Sequence, residues 1–340
     1  MLSNYKVMKF IGIDISKSSF VVAYPELTGF KTAEFVNDVK GIKKFISSFS
    51  HTEYHCVMEA TGNYSTLLLY MLCKEQIATS LINPKQTKHF ARMMMATIKT
   101  DRVDAKLIAM YGEKMKPEIY KMPTEDIIVL KQKRVVLRQL KKQLTALKNL
   151  KESFDALPTT DRKSLSVLSK TTTFLKKQIA LVEADLCSIV KESYQAQMKS
   201  LTSIPGIGIT IASALIITTG GFSQLENAKQ VSRYIGLCPT YQQSGTSIKI
   251  RGAINRNGDS EIRSLLYIAS WSAIRYNEPC KEFYERLKAK GKPSKLALIA
   301  VANKLLRQAF AVYKSGDVYC NEHLGQGSRY SDRSLSPKAF

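Results

Sequence analysis

The chain has 340 residues, 44% of them hydrophobic and 9% aromatic, which is enough for two domains with their own cores and too apolar for wholesale disorder. Its 51 Lys and Arg against 28 Asp and Glu leave a formal charge of +23, and such an excess draws polyanions; nucleic acid is the commonest, although a ribosomal protein or one held at an anionic membrane has the same balance. Six scattered cysteines with no CxxC pair, and only four histidines, argue against a disulfide framework, a zinc site and a His-rich metal site, so any metal must be held by carboxylates.

No charged-then-apolar segment opens the chain and no run approaches eighteen uninterrupted apolar residues, so the expectation is a cytoplasmic protein with no membrane contact. Residues 9–25, KFIGIDISKSSFVVAYP, read as a strand hairpin, with Ile11, Ile13 and Ile15 on one face of the first strand and Gly12, Asp14 and Ser16 on the other. A third strand follows near KTAEFVND, then a helix in GIKKFISSF. HCVMEA is a short apolar strand broken by TGNYS, TLLLYMLCKEQ is helical, and IATSLINP is a strand stopped by Pro84. Three strands followed by alternating helix and strand predict a mixed α/β sheet.

The pattern changes near residue 126. Leu130, Leu137, Leu140, Leu144 and Leu147 fall at near-heptad spacing, and a reversal around Pro158 leads to a second amphipathic helix over 169–200. These predict a long antiparallel helical arm. Between 131 and 151 lie Lys131, Lys133, Arg134, Arg138, Lys141, Lys142, Lys148 and Lys151 with no acid among them. Solubility alone calls for interspersed signs, so the one-signed face favours a polyphosphate contact over simple dimerisation. Residues 201–315 read as helical with marked turns, and 316–340 as a disordered tail.

Three constellations carry chemistry. LTSIPGIGITIASALI places Gly206 and Gly208 in a tight turn between two helices, the pattern of a helix-hairpin-helix element, whose second helix offers free N–H groups to a phosphate oxygen. Asp14, Glu59, Asp101 and Asp104 fall at the ends of neighbouring elements, and Asp101 and Asp104, three apart, share a helical face. Each has a plainer explanation: an N-cap for Asp101, the positive helix terminus for Asp104, a solvated edge strand for Asp14, a lysine partner for Glu59. Together, four such oxygen donors suit two Mg²⁺ (or Mn²⁺) ions about 3.5–4 Å apart. Finally, GLCPTYQQSGTSIKIRGAINRNGDSEIRSLL sets Ser244 among Lys249, Arg251, Arg256 and Arg263, where a hydroxyl can attack a phosphodiester; Thr246, Ser247 and Ser260 are equally eligible on chemistry alone.

GIDISK, MEATGNY, KTDRVDAKLIA, LTSIPGIG and the GLCP…QSG…INRNGDSEIRSLL stretch, in this order over residues 9–315, resemble the insertion sequence 110 family of DEDD transposases, and the long-spaced last motif is similar to its 1111 subgroup. The resemblance implies an RNase H-like (RuvC-like) catalytic domain over 1–125, a coiled-coil arm over 126–200, and a transposase domain with the helix-hairpin-helix and serine loop over 201–315. It implies that Asp14, Glu59, Asp101 and Asp104 are the metal-binding catalytic tetrad and Ser244 the nucleophile. Lys133, Arg134, Arg138, Lys141, Lys142, Gly206, Gly208, Lys249, Arg251 and Arg256 are the expected nucleic-acid contacts. Donor and target DNA, a structured noncoding guide RNA and a homo-oligomer, dimer or tetramer, are the implied partners. The loop reads SGTSIKIRG, where some relatives carry a second glycine after the first, which leaves Ser247 as the alternative nucleophile. A DNA invertase of the same family, and a RuvC-like nuclease using the tetrad alone, are the competing functions.

Overall fold

The structure is a computed structural model. It describes residues 8–223, 225–240, 242–244, 248–250 and 253–320. The chain divides between Met122 and Pro123 into two compact units.

In the first unit, β1 (Lys9–Ile15), β2 (Ser19–Glu26) and β3 (Gly29–Val36) form an antiparallel meander. β4 (Tyr54–Glu59) and β5 (Thr79–Ile82) join the other side of β1 in parallel, so the order is β3-β2-β1-β4-β5 and β1 is central. The predicted mixed α/β sheet is therefore present. Its two faces are covered by different helices. Ile11, Ile13, Cys56 and Met58 share a core with Ile42 and Phe45 of α1 (Val39–Ile46) and Leu68 and Leu72 of α2 (Thr66–Lys74). On the opposite face, Val57 and Ile82 pack with Phe90 of α3 (Pro84–Met93) and with Ile108 and Tyr111 of α4 (Asp101–Met115), while Val21 and Ala23 meet Ala105 and Ala109 of α4.

α4 lies directly on β1. A Cβ at Gly12 would stand 2.1 Å from the Ala105 carbonyl oxygen and 2.3 Å from the Ala109 nitrogen, distances no side chain tolerates. One helix was not foreseen. Pro84 does end the strand, but it also begins α3: Asn83 caps it by accepting from the Lys85 N–H at 2.9 Å, and Gln86 reaches back to accept from the Asn83 N–H at 3.1 Å. Proline fits the first helical position because its missing N–H is one the helix cannot satisfy anyway.

The second unit is mainly helical. α5 (Glu125–Asp155) and α6 (Arg162–Ser193) form the long hairpin, followed by α7 (Gln195–Thr202), α8 (Ile209–Thr219) and α9 (Ala228–Ile235). A two-stranded hairpin of β6 (Gln242–Ser244) and β7 (Ile248–Ile250) precedes α10 (Ser260–Tyr276), α11 (Glu278–Ala289) and α12 (Ser294–Ser315). The second arm helix starts at Arg162, earlier than the expected 169, because Asp161 caps it by accepting from the Ser164 N–H at 2.8 Å. It ends at Ser193, and the expected run to 200 is broken at Tyr194 into the separate α7.

Two helices alone bury little, so Leu137, Leu140, Leu144 and Leu147 stay half-exposed along the arm. Its base is different: Ile127, Leu130, Leu186 and Val190 belong to the same core as Leu215, Leu266, Val301 and Leu305. α12 has the length and composition of a membrane-crossing helix, but it is the central core helix here, with Leu298, Val301, Ala302, Leu305 and Leu306 fully buried.

Candidate active site and nucleic-acid interface

The four carboxylates singled out by sequence meet in one pocket of the first unit. Asp14 comes from central β1, on the face that Gly12 presents to α4; Glu59 ends the parallel neighbour β4; Asp101 and Asp104 form the first turn of α4. Asp14 is thus not on an edge strand. Nor is Asp101 the cap of α4, since Thr100 fills that role by accepting from the Val103 N–H at 3.3 Å. Asp101 and Asp104 are free to face the pocket, whose volume is about 580 Å³.

The electrostatics bear the mark of crowding. Burial, then the charges of Asp104, Asp101 and Glu59, push the Asp14 carboxyl up from 3.8 to about 6, against a stabilising bond from the Ile15 N–H. Asp104 is raised as well, by burial and by Asp101 and Glu59, with Lys99 opposing. A divalent cation relieves this repulsion, and four hard oxygen donors are the chemistry Mg²⁺ or Mn²⁺ takes. Among the described residues, no three His, Cys, Asp or Glu side chains converge into a closed metal cluster, so the four line a shared pocket and do not form a preformed cage.

Three neighbours escaped the sequence reading. Thr87 donates from Oγ1 to Glu59 Oε2 at 2.5 Å and so holds that carboxylate in place. Lys88 and Lys99 line the same pocket and supply its positive charge. The signal for Thr87 was there to be read: Asn83-Pro84 with Gln86 is a helix start, which puts Thr87 at the first turn beside the end of β4.

In the second unit, Ser244 ends β6 with its main chain opposite Ile248. The side chains of Ser244 and Lys249, together with Thr246, Ser247 and Arg251, lie outside the described residues. Cys238, Thr240 and Arg256 tie the base of this hairpin through backbone bonds: Thr240 N–H to Ala253 O at 2.7 Å, Asn255 N–H to Cys238 O at 2.9 Å, and Arg256 N–H to Gly236 O at 3.3 Å. The turn between α7 and α8 contains Gly206 at φ +102°, where a Cβ would press on Ala273, and Gly208 caps α8 without a side chain in the way.

The basic arm is less one-signed than its sequence. α6 supplies the missing acids: Lys133 pairs with Asp185, and Lys141 with Glu183 at 2.7 Å. Arg134, expected as a nucleic-acid contact, is engaged within its own unit. Its side chain is only 13% exposed, and its guanidinium forks onto Asp259 at 3.0 Å and Glu261 at 2.9 Å while also bonding Thr218. Arg138, Lys142, Lys148 and Lys151 remain exposed.

Two family models match the chain: a DEDD-type IS110 transposase model over residues 11–154, and one described as "Transposase IS116/IS110/IS902 family" over residues 198–285. The chain is 30% identical to a pilin gene-inverting protein of Moraxella lacunata over 316 residues, 90% of this chain and 95% of that protein. It is 24% identical to the transposase for insertion sequence element IS1111A of Coxiella burnetii over 336 residues, 88% of each. The chain belongs to the IS116/IS110/IS902 family of transposases, enzymes that act on DNA.

Proposed function

We propose that this chain cuts and rejoins DNA strands in the cytoplasm with the carboxylates Asp14, Glu59, Asp101 and Asp104 and the hydroxyl of Ser244. The observation that carries the reading is the convergence of four carboxylates from β1, β4 and α4 on one pocket, at the cost of mutual repulsion. We read the first unit as RNase H-like: an antiparallel meander continued by two parallel strands, with acids on the first and fourth, supports that architecture. The turn at Gly206 and Gly208 between two helices supports the helix-hairpin-helix reading.

Divalent cations, Mg²⁺ or Mn²⁺ in a two-ion site, would be held by the four carboxylates and would neutralise charge on the phosphate that enters the pocket. Thr87 keeps Glu59 oriented, and Lys88 and Lys99 draw the phosphate towards the acids. In the cutting step the Ser244 oxygen forms a bond to phosphorus, the bond from phosphorus to the 3′ oxygen breaks, and the serine proton ends on that 3′ oxygen by way of solvent. In rejoining, a 3′ hydroxyl attacks the same phosphorus and the serine leaves as it regains a proton. No net hydrolysis occurs.

The exposed cations Arg138, Lys142, Lys148 and Lys151 suit a structured guide RNA along the arm. A homo-oligomer is supported by apolar side chains left bare at heptad spacing, Val129, Val136 and Leu150 on α5 and Val167, Phe174 and Leu181 on α6, which a second copy of the arm would cover. A second reading, inversion of a DNA segment, is favoured by the similarity to the pilin gene-inverting protein over nearly its whole length.

The test is to incubate the protein with Mg²⁺, RNA from the flank of its own element and end-labelled donor and target DNA. Wild type should form a protein–DNA adduct that survives denaturation, and Ser244→Ala should not. Cutting by both proteins with no adduct would make this a metal-dependent nuclease and overturn the serine mechanism. End-to-end sequencing of products separates insertion from inversion.

A further inference from the structure

A second concavity, of about 400 Å³, opens at the foot of the β6–β7 hairpin, between α10 and α12. Its charged lining is Arg256, Arg263 and Lys295, and among the described residues no acid lines it. Its floor is apolar, from Leu237, Ile254 and Ile299. On α10, Ser264, Tyr267 and Ile268 line the wall, and Trp271, one turn beyond on the same face, stands 48% exposed at the end of the row.

One of the three cations, Arg263, is held by the backbone around it. Arg263 donates through Nη1 to the Ile235 and Gly258 carbonyls at 3.0 and 3.1 Å, so its charge is fixed in the wall. The Asn257-Gly258 turn is seated against α9: a Cβ at Gly258, where φ is +120°, would stand 2.1 Å from the Tyr234 carbonyl oxygen. That seating presents Arg256 to the groove. Lys295 approaches from the first turn of α12.

We propose that this groove binds an unpaired DNA strand next to the point of cutting, its phosphates on Arg256 and Lys295 and a splayed base against Tyr267, Ile268 and Trp271. Cations beside exposed aromatic faces are the composition of a single-strand platform, because every base has a face to stack and every link a charge to neutralise. A duplex keeps its bases stacked on one another and gains only the cations. Ser244 stands five positions after Pro239, in the hairpin's base, so at most about 17 Å of extended chain separates them. At about 3.4 Å per stacked nucleotide, the groove serves a base at most about five nucleotides from the attacked phosphate. The inference rests on the chain acting on DNA; the distance to the cut is taken from Ser244, while strand binding by the groove uses neither the metal site nor the nucleophile.

Trp271 is the chain's single tryptophan, so in the folded protein its emission reports on the end of α10 beside this groove. The experiment titrates the full chain, in chelator, with a fluorescein-free 20-nucleotide mixed-sequence DNA strand while following Trp271, and repeats it with a labelled strand followed by anisotropy. Quenching that tracks binding is expected. Arg256→Gln with Lys295→Gln should weaken single-strand binding about tenfold and lower the salt slope by about 1.4, two contacts at roughly 0.7 each. Lys295→Gln alone, at an exposed helix position, keeps the test open should the double variant not fold. Arg138→Gln in the arm should leave the quench per bound strand unchanged.

Binding by anisotropy with Trp271 silent, or an unaltered salt slope in both variants, overturns the proposal. A ribonucleotide strand of the same sequence that quenches at lower concentration assigns the groove to RNA instead and overturns it too. So does a Trp271 shift that follows protein concentration without DNA, which marks a face between two copies. Asp14→Asn and Ser244→Ala should retain the full quench, so failure of the cutting mechanism and failure of this subsite give different results.

Discussion

Asp14→Asn should make the metal-free enzyme more stable while abolishing its chemistry. The folded-state carboxyl titrates near 6 in place of 3.8, which means the fold holds the proton more tightly than the unfolded chain does. The usual carboxylate rule is therefore reversed. Asp14 costs nothing below pH 3.8, where it is protonated in both states, and its penalty grows as pH rises to about 6 and is complete above that. The difference of about two units sets a ceiling near 3 kcal/mol. Asp14 keeps part of its surface in water, which screens its neighbours, so about 1–2 kcal/mol is the expected gain for the asparagine variant at pH 7.5, shrinking to nothing near pH 4. The readout must belong to the right unit. Trp271 sits in α10, so its fluorescence does not follow the sheet; amide hydrogen exchange at residues 11–15 does. In chelator the variant should exchange more slowly than wild type at pH 7.5 and equally at pH 4. Saturating Mg²⁺ should reverse the order, since binding at a hundred times Kd adds about 2.7 kcal/mol to wild type only. A variant that is equal or less stable in chelator at pH 7.5 would refute the idea that burial and the neighbouring carboxylates hold the Asp14 carboxyl up.

Three further outcomes are expected. Arg134→Gln leaves Asp259 and Glu261 half-buried without their cation and should lower stability by about 2–3 kcal/mol, read from the urea midpoint of Trp271 fluorescence, with little loss in the salt slope of nucleic-acid binding. Thr87→Val removes the bond to Glu59 at nearly constant shape; strand cutting under single-turnover conditions should slow at least tenfold, while thermal midpoint moves by no more than an isolated hydrogen bond's worth, about 1 kcal/mol. Charge reversal at Arg138 and Lys142 should weaken RNA and DNA binding and lower the slope of log affinity on log salt by roughly 2 in a duplex titration, and an unchanged slope would leave the arm a purely structural element.

Much of the first unit was legible because strands buried on one face by isoleucine, with Asp14 on the other, have few ways to pack. The alternation around Ile11, Ile13 and Ile15 fixed which side of β1 the carboxylate takes, and the spacing of Asp101 and Asp104 put both on one helical face. What was lost lay in long-range pairing. A lone sequence lists eight cations on one arm helix without showing that α6 returns Asp185 and Glu183 to meet two of them. Arg134 is the sharpest case: its partners Asp259 and Glu261 lie more than a hundred residues on, and nothing local distinguishes it from Arg138. α3 was missed for a different reason, a proline taken as an ending where its capping neighbours made it a beginning.

The contact between Gly12 and α4 works as a mechanical index. A second glycine answers it seven residues along the helix from Ala105: at Gly112 a Cβ would strike Val57 and Phe10 of the sheet at 2.8 and 2.9 Å. Strand notch against helix ridge, then helix notch against strand side chains, these two points pin α4 along its own axis. A slip of one turn would carry Asp101 and Asp104 about 5.4 Å past Asp14. The distance across which the carboxylates face one another is therefore gauged by main chain at Gly12 and by sheet side chains at Gly112. The like charges gathered in the pocket therefore meet a helix that its backbone contact at Gly12 keeps from sliding.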